Sequence, residues 1–72
     1  MKTLTGAGLR ARRDAAGMTQ QQLADAIHIS RVAVAMWETG RALPSAALLP
    51  QIAAALGCSI DELYEGGGHE AL

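Results

Sequence analysis

The 72-residue chain has a single cysteine, Cys58, so no internal disulfide is possible and one thiol cannot by itself supply a structural zinc site. Phenylalanine is absent, and Trp37 and Tyr64 are the only aromatic residues. No run of about 18 or more apolar residues occurs, and no basic segment followed by an apolar stretch opens the chain. Neither a membrane span nor a signal peptide is therefore expected, and the expected location is the cytoplasm. A chain this short buries only about 60% of the surface its unfolded form exposes, and no added catalytic or sensor domain is expected. What it does have is alanine, 15 residues of it, with only two prolines. That balance reads as all-α. With no covalent or metal staple, stability has to come from packing, with dimerisation as a second source.

A net charge of −1 argues at first against nucleic acid, since proteins that bind duplexes usually carry a basic surface. The distribution reverses that impression. All six basic residues, Lys2, Arg10, Arg12, Arg13, Arg31 and Arg41, lie at or before position 41 beside three acids, an excess of +3, and the remainder holds four acids and no base. A chain polarised in this way can present a positive face while being nearly neutral overall.

Punctuation along the chain predicts five short helices. Thr3 or Thr5 caps a first helix through Leu9 to Ala16, and Gly17 stands where a helix end takes a left-handed residue. Thr19 precedes Gln22 by the capping-box spacing, opening a second helix from Gln20 to about Ile27 with Leu23, Ala24 and Ile27 on one buried face. Ser30 caps a third, in which Val34 and Trp37 face inward while Arg31, Val32, Ala35 and Met36 face out, ending near Thr39 and Gly40. After Pro44, Ser45 is the candidate cap of a fourth helix carrying Leu48, Leu49, Ile52, Ala53 and Leu56. Pro50 requires it to start late or kink. Gly57 ends it, and Ser59 with Glu62 repeats the capping-box spacing before a last helix with Ile60 and Leu63 turned inward. The domain is placed at residues 1–66, and the tail 67–72, reached through three consecutive glycines, is expected to be flexible.

The stretch TQQQLADAIHISRVAVAMWE, Thr19 to Glu38, closely resembles the helix-turn-helix of the Cro/repressor type, the XRE family, with its five-helix lambda-repressor-like fold. Counting from Gln20, apolar residues fill the fourth, eighth, tenth, fifteenth and eighteenth places, with Ala24 at the fifth, where two crossing helices approach most closely. The flanks LRARRDAAGMTQ, WETGRALPS and LLPQIAAALGCSIDELYEG resemble the family too, so the similarity covers residues 8 to 66. One position departs from it. The ninth place usually holds a glycine in left-handed conformation; here it is His28, a residue tolerated there better than most. No second histidine, cysteine or carboxylate is spaced with His28 for a metal or a base, and no cofactor is expected.

The resemblance implies that the third helix enters the major groove of double-stranded DNA. Arg31, Val32, Ala35 and Met36 would then face the base edges. An arginine can bridge guanine O6 and N7, and the apolar side chains can meet thymine methyls. For Arg31 a phosphate contact is the alternative, and for Met36 an incidental surface position. Gln20 occupies a family position that presents its backbone amide and side chain to phosphate, with Arg10 and Arg41 as further phosphate contacts. Arg13 and Glu38 match positions that form a buried ion pair between helices one and three. Solvated side chains are the alternative. Trp37 is expected in the core and Cys58 as a small packing residue. Cys58, Ile60 and Tyr64 are the expected homodimer surface.

These expectations describe a transcriptional regulator, a repressor acting as a dimer on a palindromic operator. An antitoxin partnered by a toxin, a phage or mobile-element switch, and a protein-protein adaptor that reads no bases are the alternatives. An enzyme is not expected, because the chain has no nucleophile paired with a base and no glycine loop for phosphate.

Overall fold

The computed structural model describes residues 4–65, and the tail 67–72 lies outside them. Five α-helices follow one another: α1 (Gly6–Ala15), α2 (Gln20–Ala26), α3 (Arg31–Glu38), α4 (Leu49–Leu56) and α5 (Ile60–Glu65), with one 3₁₀ turn, Ala46–Leu48, leading into α4. Among the described residues there is no strand.

Side-chain caps start four of the helices. Thr5 Oγ1 accepts from the Gly8 N–H at 3.0 Å, so the cap of α1 is Thr5; Thr3 falls outside the described residues. Thr19 and Gln22 close the expected capping box on α2 in both directions, at 3.0 and 2.8 Å. Ser30 caps α3 through the Ala33 N–H at 3.2 Å, and Ser59 and Glu62 form the second box at 3.1 and 2.8 Å. Each bond satisfies a first-turn N–H that has no partner within its helix. Ser45 behaves differently from the expectation. It precedes the 3₁₀ turn but makes no side-chain capping bond, and α4 itself starts late, at Leu49, with Pro50 in its first turn. There the missing proline N–H costs nothing, because that donor would have had no helical partner.

The helix ends share one device. After α1, α3 and α4 a glycine takes positive φ, 72° at Gly17, 79° at Gly40 and 70° at Gly57. The following N–H then turns back to a carbonyl five residues earlier: Met18 to Arg13, Arg41 to Met36, Cys58 to Ala53, at 3.2, 2.9 and 3.0 Å. This is the Schellman closure. The end of α2 is built the same way, with the Ile29 N–H donating to the Ala24 carbonyl at 3.0 Å, but its left-handed residue is His28, at φ 60°. The turn between α2 and α3 thus keeps the geometry that glycine would give, with a Cβ in place.

Leu9 of α1, Leu23 and Ala24 of α2 with Ile27 at its end, Val34 and Trp37 of α3, Leu49, Ile52, Ala53 and Leu56 of α4 and Leu63 of α5 form one buried cluster. Ala24 is fully buried where α2 meets its neighbours, as expected of the small residue at that place. Ile60, expected inward, is instead exposed at the first position of α5, which turns Leu63 and Tyr64 to the core. A further close approach went unread in the sequence. A Cβ on Gly6, at the first position of α1, would collide with the backbone carbonyls of Trp37 and Glu38 in the last turn of α3.

Two substitutions test this framework by thermal or urea unfolding. His28→Gly should stabilise the fold by about 0.5–1 kcal/mol, since the left-handed penalty of about 1–2 kcal/mol disappears while glycine's added unfolded-state entropy returns part of it. Gly6→Ala should destabilise by about 1–3 kcal/mol, as backbone on both sides must shift to admit the methyl. A neutral Gly6→Ala would mean that α1 does not rest on the end of α3.

Candidate nucleic-acid interface

Arg13 and Glu38 join α1 to the last residue of α3. Arg13 Nε donates to Glu38 Oε2 at 2.6 Å and Nη2 to Oε1 at 3.0 Å, a two-pronged geometry that suits a planar guanidinium and a carboxylate. Their side chains are only 10% and 3% exposed, so the alternative of two solvated charges is set aside. The remaining prong, Nη1, donates to the Met18 carbonyl at 2.7 Å, just ahead of the Thr19 cap of α2. Gln20 completes the arrangement: its Nε2 donates to Glu38 Oε1 at 3.0 Å. One carboxylate therefore ties three helices together.

The bond to Glu38 raises the Arg13 pKa against the opposing effect of burial, with Asp14 at 3.2 Å adding to it. Burial pushes Glu38 up, but the bonds from Arg13 and Gln20, with the positive charges of Arg13 and Arg10, outweigh it and hold its carboxyl below its ordinary value. Glu62 is likewise lowered, chiefly by the bond from the Ser59 backbone. Cys58, half-buried, has its thiol pushed up by desolvation and packs against the core cluster.

On the outer side of α3, Arg31 is exposed at the first helical position, Val32 is 58% exposed and Met36 39% exposed. Ala35 is half-buried rather than fully outward, a short methyl set among the longer Arg31, Val32 and Met36. Val34 and Trp37 are buried on the opposite side. The outer face thus presents one cation and three apolar groups. Arg41, exposed, follows directly on Gly40, whose closure holds the backbone at the end of α3. Among the described residues no ion pair or hydrogen bond engages the side chains of Arg31 and Arg41.

Among the described residues the other arginines are more committed than the sequence suggests. Arg10 sits 3.8 Å from Asp14, both well exposed, a pair weak enough for Arg10 to leave. Arg12 reaches from α1 to the Glu62 carbonyl of α5 at 3.3 Å. Nothing in the sequence pattern marked Arg12 as a tether or Gln20 as a ligand of Glu38, because both contacts span residues distant along the chain. Of the expected dimer residues, Ile60 is exposed while Cys58 and Tyr64 are half-buried, so they lie at the surface near α5 without forming a broad apolar face. Among the described residues no helix is long and apolar enough to cross a membrane, and no group of acidic, histidine or cysteine side chains is placed to hold a metal ion.

Two short helices locked at a tight turn, the second offering an unobstructed face with an arginine at its start, define a DNA-binding helix-turn-helix domain of the Cro/repressor type. The sequence agrees with that class: the family model described as helix-turn-helix matches residues 9–63, and the chain belongs to that family. The HTH-type transcriptional activator BcrR of Enterococcus faecalis is 39% identical over 49 residues, 68% of this chain. The chain spans only about a quarter of that relative's length, 24%. Among solved structures it is similar to the P22 c2 repressor in complex with a synthetic operator, with a TM-score of 0.77 and 32% identity over 92% of this chain and 98% of that one. The clp gene regulator ClgR from C. glutamicum has a TM-score of 0.78 and 34% identity, covering 86% of this chain and 80% of that one. The lambda-repressor-like fold expected from residues 8 to 66 is therefore the fold found.

The ion pair gives a pH dependence of known sign. Glu38 binds its proton less readily when folded than when unfolded, so its contribution is fully present above the ordinary carboxylate value of 4.5 and is lost as pH falls through the depressed folded value. Glu38→Gln should cost at most about 3–5 kcal/mol at neutral pH, the usual cost of removing one member of a buried pair. In urea melts across pH, the gap between wild type and Glu38→Gln should close in acid. A gap independent of pH would show that the Glu38 charge is not what stabilises the fold.

Proposed function

We propose that the chain is a sequence-specific transcriptional regulator that inserts α3 into the major groove of double-stranded DNA, acting as a repressor in dimeric form on a palindromic operator. The observation that carries this reading is the outer face of α3: Arg31 exposed and uncommitted, with Val32 and Met36 turned out while the helix is anchored from behind by Val34 and Trp37. Exposed aliphatic side chains cost solubility unless they meet something apolar. In a major groove the thymine methyl is that partner, and Arg31 at the helix start has the reach and fork geometry for guanine O6 and N7. Half-sites with a guanine near thymines follow.

Phosphate contacts are assigned to Gln20, Arg41 and Arg10. With Arg13 neutralised inside and the Arg12 side chain directed to the Glu62 carbonyl of α5, few cations among the described residues are left to meet phosphates. The dependence of affinity on salt should accordingly be shallow, close to one unit of log slope for each phosphate neutralised. So few contacts favour two domains on one duplex, with half-sites about one helical turn, roughly 34–36 Å, apart. The dimer is assigned to the surface that includes Cys58, Ile60 and Tyr64.

Selecting bound sequences from a random duplex library tests the reading as a whole, since it reports binding, half-site spacing and base preference together. Arg31→Ala, measured against single-base variants of the selected duplex, should cost about 1–3 kcal/mol at one guanine position and flatten the preference there. Equal weakening at every position would assign Arg31 to phosphate. Absence of any enrichment at physiological salt would favour the protein-protein adaptor.

A further inference from the structure

We propose that Glu38 is a positioning residue for DNA contact: through its bond to Gln20 it fixes which way the Gln20 amide faces, and so delivers one N–H of that amide to a backbone phosphate. The proposal rests on the assignment of Gln20 as a phosphate contact and adds what orients it.

A glutamine amide has two chemically opposite ends, and phosphate accepts only from the nitrogen. Unrestrained, a half-buried glutamine can turn either end outward, and an outward carbonyl would repel a phosphate oxygen. Here the choice is made internally. Glu38 Oε1 is an acceptor, so only Nε2 of Gln20 can face it, and it does so at 3.0 Å. Holding one of the two N–H groups keeps the nitrogen at a known place and leaves the second as a donor. A rotamer-rich side chain is ordered before DNA arrives, which removes part of the entropy that binding would otherwise lose.

The choice of a carboxylate raises an electrostatic difficulty, since a negative charge near a phosphate would oppose binding. The difficulty is met by its neighbour. Glu38 accepts twice from Arg13 and its side chain is 3% exposed, so its charge is cancelled inside the fold and only its directional hold on Gln20 is felt outside. Arg13 contributes separately by donating to the Met18 carbonyl, which fixes the chain entering α2 from the other side of Gln20. The start of α2 is gripped at Met18 and at Gln20 by the two halves of one ion pair.

The test is a double-mutant cycle on affinity for the duplex selected by this chain, with a scrambled duplex as control. Replacing the buried pair by apolar residues, Arg13→Met with Glu38→Met, removes the hold on Gln20 without leaving an unpaired buried charge. In the Gln20 background the change should weaken binding roughly fivefold, the size of one hydrogen-bond contribution. In a Gln20→Leu background the same change should cost distinctly less, leaving only the loss of the Arg13 bond to the Met18 carbonyl. Equal losses in both backgrounds would overturn the proposal, because the pair would then act on DNA binding by some route other than Gln20. A Gln20→Leu variant that binds like wild type would instead remove the phosphate assignment on which the proposal stands. Nuclear magnetic resonance of the wild-type side-chain amide decides the matter even if the apolar pair does not fold. One Gln20 Nε2 proton should be protected in the free protein and stay unmoved on adding the duplex, while its twin shifts. Two protons that exchange freely, or that shift alike, would refute the orientation.

Discussion

The bidentate pair between Arg13 and Glu38 is the interaction on which the rest of this small fold depends. It connects the first and third helices, and its spare bonding capacity is used to fix the second: Met18 on one side, Gln20 on the other. Buried ion pairs are weak arguments for stability in general, because desolvation offsets much of their attraction. Here each of the three guanidinium nitrogens of Arg13 finds an acceptor, which offsets the desolvation, and the angle between α2 and α3 is set by directional bonds as well as by packing. Hydrophobic contact alone would hold these helices together without choosing among nearby orientations. On the proposed function, a helix that enters a groove needs that choice made.

The turn between α2 and α3 shows a second constraint met under some strain. Four helix ends share the same backbone closure, three of them through glycine, and the fourth places His28 at φ 60° in the one loop whose geometry orients the exposed helix. The cost of a Cβ there is tolerated because the closure is held on both sides, by Ala24 behind and by Ser30 capping α3 ahead. Where α3 begins is thus determined by the backbone closure at Ile29 and the side-chain cap at Ser30.

Much of this was legible from residue order. Caps at Thr5, Thr19, Ser30 and Ser59, the glycines at helix ends and the late start imposed by Pro50 all depend on neighbours within a few positions, which is the range over which sequence speaks directly. Contacts that bring distant residues together were less visible. Gln20 bonded to Glu38, Arg12 bonded to the Glu62 carbonyl and the close fit of Gly6 against the end of α3 arise only once the helices have packed. Ile60 and Ser45 went differently for the converse reason: a local pattern was present, but α5 turns Leu63 and Tyr64 to the core and leaves Ile60 exposed at its first position, and the turn before α4 is 3₁₀.

A nearly neutral chain can serve a polyanion if its charges are sorted by task. Arg13 is consumed in the frame, Arg12 in joining α1 to α5, and Arg31 and Arg41 stay exposed at the two ends of the helix that faces outward. Acids gather in α5 at Asp61 and Glu62, the part of the domain furthest along the chain from α2 and α3. On the proposed function this sorting has an energetic consequence. Counterion release from so few phosphates provides little sequence-independent affinity, so a larger share of binding must come from contacts that discriminate among bases. A face made of Arg31, Val32 and Met36 suits that requirement, because its apolar side chains gain nothing from phosphate and only a matching groove repays their exposure.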